Sequence, residues 1–169
     1  GVKRITSYLG IPFLVFDFSR EFKKRVVDYF LEEYQKGRTP NPCVRCNQEI
    51  KFKLFFEKAI KSGADLVATG HYARIKKKGS EYKILRAADK KKDQSYFLYT
   101  LKQTQLKKIL FPIGSYSKIK VKSLAKKLGI FHLLGSESRD ICFIEGKPQD
   151  FFKKHLELKP GPIFDTSGK

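Results

Sequence analysis

The sequence predicts an α/β fold, with a parallel sheet packed by helices and then a smaller, mostly helical region. Three observations carry this expectation. Two short apolar runs, 13–18 and 65–69, are bounded by turn residues and have the length of buried strands. Two amphipathic stretches at helical spacing lie between them, and a strand–helix–helix–strand order implies a parallel connection. After residue 92 the pattern changes to short helices.

The elements follow in order. Val2, Ile5, Tyr8 and Leu9 recur at helical spacing and stop at Gly10-Ile11-Pro12. Phe13 to Phe18 reads as a buried strand, and Ser19 as the cap of a helix with the stripe Phe22, Val26, Tyr29, Phe30 and Tyr34, ending near Gly37. Pro40 and Pro42 make 37–46 a loop. Asn47 is the expected N-cap of a second helix, with Phe52, Phe55, Phe56 and Ala59 inward and Gly63 beyond its end. Asp65 to Thr69 is a second strand, and Arg74–Lys78 with Glu81–Ala87 form a hairpin through Gly79-Ser80. Gln94–Leu101 and Gln103–Leu110 read as short helices. Ser117 caps an amphipathic helix with Val121, Leu124, Ala125 and Leu128 inward, closed by Gly129. Ile141–Ile144 reads as a short strand, Pro148 starts a helix through His155, and 161–169 reads as a strand entering a turn.

Composition narrows the class. Hydrophobic residues make up 41% of the 169 and fall in periodic groups, which excludes a disordered chain. No apolar run has the length of a membrane span and no segment resembles a signal peptide, so a soluble, cytoplasmic protein with no membrane partner is expected. Lys and Arg number 36 against 17 acidic residues, a formal charge of +19, with runs at Lys76-Lys77-Lys78 and Lys90-Lys91-Lys92. Such an excess suits either a nucleic-acid footprint or a solvated lysine-rich surface. The three cysteines, Cys43, Cys46 and Cys142, argue for metal or redox chemistry rather than a disulfide framework. The helix tail at the start and the unpaired strand at the end read as a piece of a larger protein.

Four segments could carry chemistry. In Thr39-Pro40-Asn41-Pro42-Cys43-Val44-Arg45-Cys46-Asn47, two thiols precede a helix start. The helix dipole, Arg45 and Lys51 should then favour the Cys46 thiolate. Buried inert cysteines and half of a zinc site are the competing readings. Ala68-Thr69-Gly70-His71-Tyr72 lies at the carboxyl end of a strand, where α/β sheets bind ligands. Lys92-Asp93-Gln94 offers a cation and an amide for phosphate and base contacts, or an ordinary Asp93 cap. In Asp140-Ile141-Cys142-Phe143-Ile144, strand alternation places Asp140 and Cys142 on one face, while an inert core cysteine is the plainer reading.

Six motifs in fixed order then carry a resemblance. They are Gly37-Arg38-Thr39-Pro40-Asn41-Pro42-Cys43 through Cys46-Asn47, Glu49-Ile50-Lys51-Phe52, Ala68-Thr69-Gly70-His71-Tyr72, Lys92-Asp93-Gln94-Ser95-Tyr96-Phe97-Leu98, Phe111-Pro112-Ile113-Gly114 and Asp140-Ile141-Cys142-Phe143-Ile144. Together they resemble the tRNA-specific 2-thiouridylase family over residues 37–144.

The resemblance implies a PP-loop ATPase domain, a small central domain and a β-barrel. On this chain it implies the end of the ATPase domain at 1–90, a central tRNA-binding and persulfide-cysteine region at 91–160, and the start of the barrel at 161–169. It implies adenylation of the wobble uridine with ATP and magnesium, then transfer of persulfide sulfur to carbon 2 of the base. Cys142 is then the persulfide carrier and Cys46 its partner thiol, the two ending as a disulfide. Asn41, Pro42 and Cys43 are implied to meet the target base, Gly70 to contact ATP, and His71, Lys92, Asp93 and Gln94 to contact tRNA. The implied partners are tRNA and a sulfur-donor protein, a cysteine desulfurase or relay. The Gly-rich pyrophosphate loop is not in the sequence, so these 169 residues alone are expected not to thiolate tRNA. Some relatives carry Asp where Cys43 stands, and the three thiols are also a ligand set for an iron–sulfur cluster. Two rival readings are a basic RNA-binding module stapled by zinc or such a cluster, and a related PP-loop enzyme with another adenylated substrate.

Overall fold

A computed structural model describes residues 2–133, 141–157, 161–162 and 164–168. Helix α1 (Val2–Leu9) stops at Gly10, whose φ of 64° is open to glycine at little cost. The run 13–18 forms no strand, a departure from expectation, and Leu14 and Val15 are 71% and 73% exposed. An extended run becomes a strand only beside an edge that takes up its N–H and C=O groups. The described ladders pair other segments, and Phe16 rests instead against Phe18 and Phe55.

Helix α2 is continuous through three abutting segments, Ser19–Phe22, a wider π-helical stretch Lys23–Val27, and Asp28–Gln35. The group that closes its start is Asp17, not Ser19: the carboxylate accepts from the Ser19 backbone N–H at 2.8 Å and from its hydroxyl. An ionised acceptor makes the stronger bond there. The apolar stripe holds, with Val26 and Phe30 fully buried. Helix α3 likewise runs through Pro42–Cys46, a π-helical stretch Asn47–Phe55, and Phe56–Lys61. It starts at Pro42 rather than after Cys46. The Asn41 side chain accepts from the N–H groups of Cys43 and Val44 at 3.1 and 3.2 Å, and Pro42 fills the first turn, where a missing N–H costs nothing. Glu49 ties the two helices, 3.1 Å from Arg25 on α2 and paired along α3 with Arg45 and Lys53. Burial pushes its carboxyl up, but these cations, Lys53 foremost, outweigh that and hold it below the usual range.

Strand β1 (Val67–Ala68) pairs in parallel with β4 (Ile109–Leu110), so a parallel pair is present, but it joins 67–68 to 109–110 and not the two predicted runs 13–18 and 65–69. The sequence pattern of β4 is that of a helix end. Helix α4 (Gln103–Leu106) stops short of it because Ile109 and Leu110 meet the open edge of β1, with Val67 N–H bonding the Lys108 carbonyl at 2.8 Å. Tertiary pairing overrides local preference here. The hairpin of β2 (Ala73–Lys78) and β3 (Glu81–Arg86) turns at Gly79, φ 61°, as expected. Residues Ser95–Leu98 form a 3₁₀ turn in place of the longer helix expected at 94–101.

Ser117 caps α5 (Lys118–Lys127), accepting from Lys120 N–H at 3.2 Å. Only part of its predicted inward face is covered: Ala125 is buried while Leu128 is 59% exposed. Ile141–Ile144 is a tight turn closed by Ile144 N–H on the Ile141 carbonyl at 3.0 Å, not a strand, and no strand forms among the described residues past 160. Helix α6 (Pro148–His155) begins at its proline as predicted.

The core joins Phe52, Ala73, Leu98, Ile109 and Phe111. Gly114 closes over it, with its carbonyl accepting from Ala88 N–H at 2.9 Å and its α-carbon against the Ala73 carbonyl. A Cβ there would lie 1.6 Å from the Ala73 oxygen, and neither backbone can yield. Gly114→Ala should therefore cost at least about 3 kcal/mol, more than ordinary overpacking. Urea unfolding checks this as a lower midpoint at unchanged slope.

Candidate active site: a cavity lined by three cysteines

Helix α3 lays Cys43, Asn47 and Lys51 along one face at i, i+4 and i+8, with Cys46 beside them. The turn at 141–144 brings Cys142 to the same place. These residues, with His71, Gln94, Phe97 and Phe22, line a cavity of about 290 Å³. All three cysteines are free thiols, Cys43 and Cys142 exposed at the rim and Cys46 half-buried.

What brings Cys142 there is the side chain next to it. Phe143 packs edge-on against Phe22 and Phe30 of α2, at 5.8 and 5.4 Å between ring centres, and lies 5.6 Å from Phe151 of α6. Phe152 stacks on Phe30 at 5.8 Å. Such pairs each add about 0.5–1.5 kcal/mol beyond the area they bury. Sequence reasoning missed this anchor. Its signal was an aromatic beside the cysteine, matching the aromatic stripe of α2.

The expected helix-start activation of Cys46 is not what the structure provides. Because α3 begins at Pro42, Cys46 lies at the end of its first segment, and Asn41 already occupies two of the free N–H groups. Arg45 turns away. It donates to the Arg25 carbonyl at 3.3 Å, pairs with Glu49 at 3.6 Å and covers the Tyr29 ring at 5.0 Å. Burial pushes the Cys46 thiol up, with smaller upward pushes from Cys142 and Cys43, and Lys51 pulls against them. Cys43 is raised too, by burial first and then by Cys142. Lys51 is the one lysine or arginine lining the cavity among the described residues.

Two buried polar groups complete the wall. Asn47, expected as a cap, donates from its amide nitrogen to the Cys43 carbonyl at 3.0 Å, which fixes its oxygen as an acceptor. That oxygen has no hydrogen-bond partner among the described residues, a cost of about 1–3 kcal/mol. His71 is buried, with Nδ1 2.7 Å from the Thr69 hydroxyl. Burial, and then Lys51, lower its pKa to about 4, so the ring is neutral at pH 7.

The other predicted residues fall near this cavity. Gln94 lines it and pairs with Tyr72 twice: its side-chain oxygen accepts from Tyr72 N–H at 2.9 Å, and its own N–H donates to the Tyr72 carbonyl at 2.8 Å. Asp93 commits both carboxylate oxygens, to Ala87 N–H at 2.7 Å and the Ser95 hydroxyl at 2.8 Å. Burial alone would raise Asp93, but these bonds and Arg86 hold it below the usual range. Lys92 is exposed on a 3₁₀ turn next to it. Gly70 lies past the carboxyl end of β1, with nothing within 4 Å of where a Cβ would sit, so a ligand can approach its backbone. Pro42 is buried under the rim. Asp140, expected beside Cys142, lies outside the described residues. Among the described residues no three His, Cys, Asp or Glu side chains group closely enough to hold a metal ion.

Comparison with known proteins bears on this arrangement. The family model described as "tRNA methyl transferase HUP domain" matches residues 1–146. A protein of Listeria monocytogenes serotype 4a (strain HCC23), named tRNA-specific 2-thiouridylase MnmA, is 47% identical over 169 residues, covering 99% of this chain and 46% of its own length. Proteins of the same name from Syntrophomonas wolfei and Roseiflexus castenholzii are 45% and 43% identical, with 98% and 100% of this chain and 50% and 51% of their own lengths aligned. The chain thus spans about half the length of the curated relatives it matches.

Two measurements check the electrostatics. Cys46 alkylation by iodoacetamide should accelerate only as pH rises past the ordinary thiol range. In Lys51→Gln the profile should move to still higher pH, and Lys51→Arg should restore it. The His71 ring should titrate near 4 by NMR. Between its unfolded value near 6.5 and that folded value the unfolded chain holds more protons, so His71's contribution to stability is full above pH 6.5 and is lost as pH falls toward 4.

Proposed function

This chain belongs to the tRNA methyl transferase HUP domain family, and from that premise we propose that it is the sulfur-transfer part of a tRNA-specific 2-thiouridylase. The observation that carries the proposal is the shared cavity. Cys46 and Cys142, far apart in sequence, line one space beside a buried amide and a neutral imidazole.

In this reading the O2 oxygen of the wobble uracil attacks the α-phosphorus of ATP and pyrophosphate leaves, so a poor leaving group becomes AMP. Magnesium would neutralise the triphosphate. Gly70, open beyond β1, is the ATP contact on this chain. A sulfur-donor protein, a cysteine desulfurase or relay, loads Cys142 as a persulfide. The Cys46 thiolate attacks the inner sulfur of Cys142, and the Cys46–Cys142 bond forms as the outer sulfur leaves with the bonding pair as sulfide. Sulfide adds at carbon 2 and AMP departs, giving 2-thiouridine. A dithiol reductant then returns the disulfide to two thiols, consuming two electrons.

The surrounding residues divide the remaining work. Lys51 draws Cys46 toward the thiolate against the burial that opposes it. Asn41, Pro42 and Cys43 form the rim that meets the base. His71, Lys92, Asp93 and Gln94 are the tRNA-facing set, Asp93 acting by holding its loop. The expected setting is the cytoplasm, where tRNA and ATP meet. No helix among the described residues is long and apolar enough to cross a membrane.

In the full-length protein, Cys46→Ser and Cys142→Ser should each lower thiolation of the wobble uridine by at least about 10³-fold, because each removes a sulfur that forms or breaks a bond. Tandem mass spectrometry of tRNA nucleosides reads the product. Retention of wild-type thiolation by either variant would contradict the assignment.

A further inference from the structure

The sulfur chemistry leaves one charged feature unused. Over 73–86 the β2–β3 hairpin carries Arg74, Lys76, Lys77, Lys78, Lys83 and Arg86 against a single acid, Glu81. Ile75 and Ile84 face the core, so strand alternation sends Arg74, Lys76 and Lys78 to the outer face, where Lys83 stands directly opposite Lys76. Among the described residues Glu81 pairs with Lys83, at 3.9 Å. Like charges placed directly across a ladder destabilise it. A merely solvated surface gives no reason to fix cations in that register.

The hairpin is also held rigidly. The Gln103 side chain accepts from Tyr82 N–H at 2.8 Å and donates to the Tyr82 carbonyl at 2.9 Å, completing the outer edge of β3 as a further strand would. Arg74 donates to the Arg86 carbonyl at 2.8 Å. Its root adjoins the cysteine cavity, since His71 lines the cavity and β2 starts at Ala73. From there six residues extend roughly 20 Å, a span that covers several phosphates of one strand of a nucleic-acid stem. Beside it lies a groove of about 470 Å³, with Arg74, Lys77 and Lys107 in its walls.

We propose that the β2–β3 hairpin is a phosphate-binding arm that grips the stem of the RNA whose loop uridine enters the cysteine cavity. The inference rests on the sulfur-transfer reading for the identity of the RNA. Its outer lysines take the backbone without reading bases, and the anion relieves the repulsion between Lys76 and Lys83.

Binding of unmodified tRNA by the full-length protein, followed by fluorescence anisotropy across a salt series, tests this. Lys76→Glu with Lys83→Glu should weaken binding at least about tenfold at low salt and flatten the slope of log Kd against log salt by about 2, one for each lysine that no longer neutralises a phosphate. Lys76→Gln with Lys83→Gln should fall between, its thermal midpoint reporting an intact fold. In turnover assays the loss should fall on KM for tRNA rather than kcat. Wild-type affinity and slope in the charge-reversed protein would overturn the proposal. Thiolation without dependence on the hairpin would sink this inference and leave the sulfur chemistry standing; hairpin-dependent tRNA binding without thiolation would do the reverse.

Discussion

The sulfur-transfer reading depends on one packing contact, Phe143 between Phe22 and Phe30. Among the described residues the turn that carries Cys142 joins no ladder, and one hydrogen bond closes it. Its position therefore comes from aromatic burial against α2 and α6. Truncating a fully buried Phe costs about 3–5 kcal/mol; Phe143 is half-buried, and a share of that cost is enough to release a short turn. A hydrophobic anchor holds a cysteine without adding charge, and so leaves its chemistry to the other wall of the cavity.

That other wall is arranged against early ionisation. Cys43 and Cys46 are both raised by burial, His71 is neutral and Lys51 alone pulls toward the thiolate. Burial therefore works against the Cys46 thiolate in the resting site.

Much of this was legible in the sequence because local rules decide it. The helix ends at Gly37 and Gly129, the hairpin turn at Gly79, the Ser117 cap and the proline start of α6 all follow from residues within a few positions. Misreadings arose where distant partners decide. The run 13–18 had a strand's composition but pairs with no described strand, and Ile109-Leu110 looked helical until β1 paired with it. The motifs named the cysteines, while spacing alone could not show that Asn41 rather than Asn47 caps α3. That choice moved the helix start away from Cys46, and burial, which spacing does not show, pushes its thiol up instead. Arg45 was misjudged for a similar reason, since its partners Glu49 and Tyr29 sit on neighbouring turns and helices.

The most direct measurement is thiol proximity in the resting full-length protein without tRNA. Brief treatment with diamide, which accepts the two electrons of disulfide formation, followed by peptide mass mapping, identifies which cysteines join. The account predicts a Cys46–Cys142 bond that forms readily in the wild type and is strongly reduced in Phe143→Ala. Failure of Cys142 to join Cys46, or joining that ignores Phe143, would contradict it.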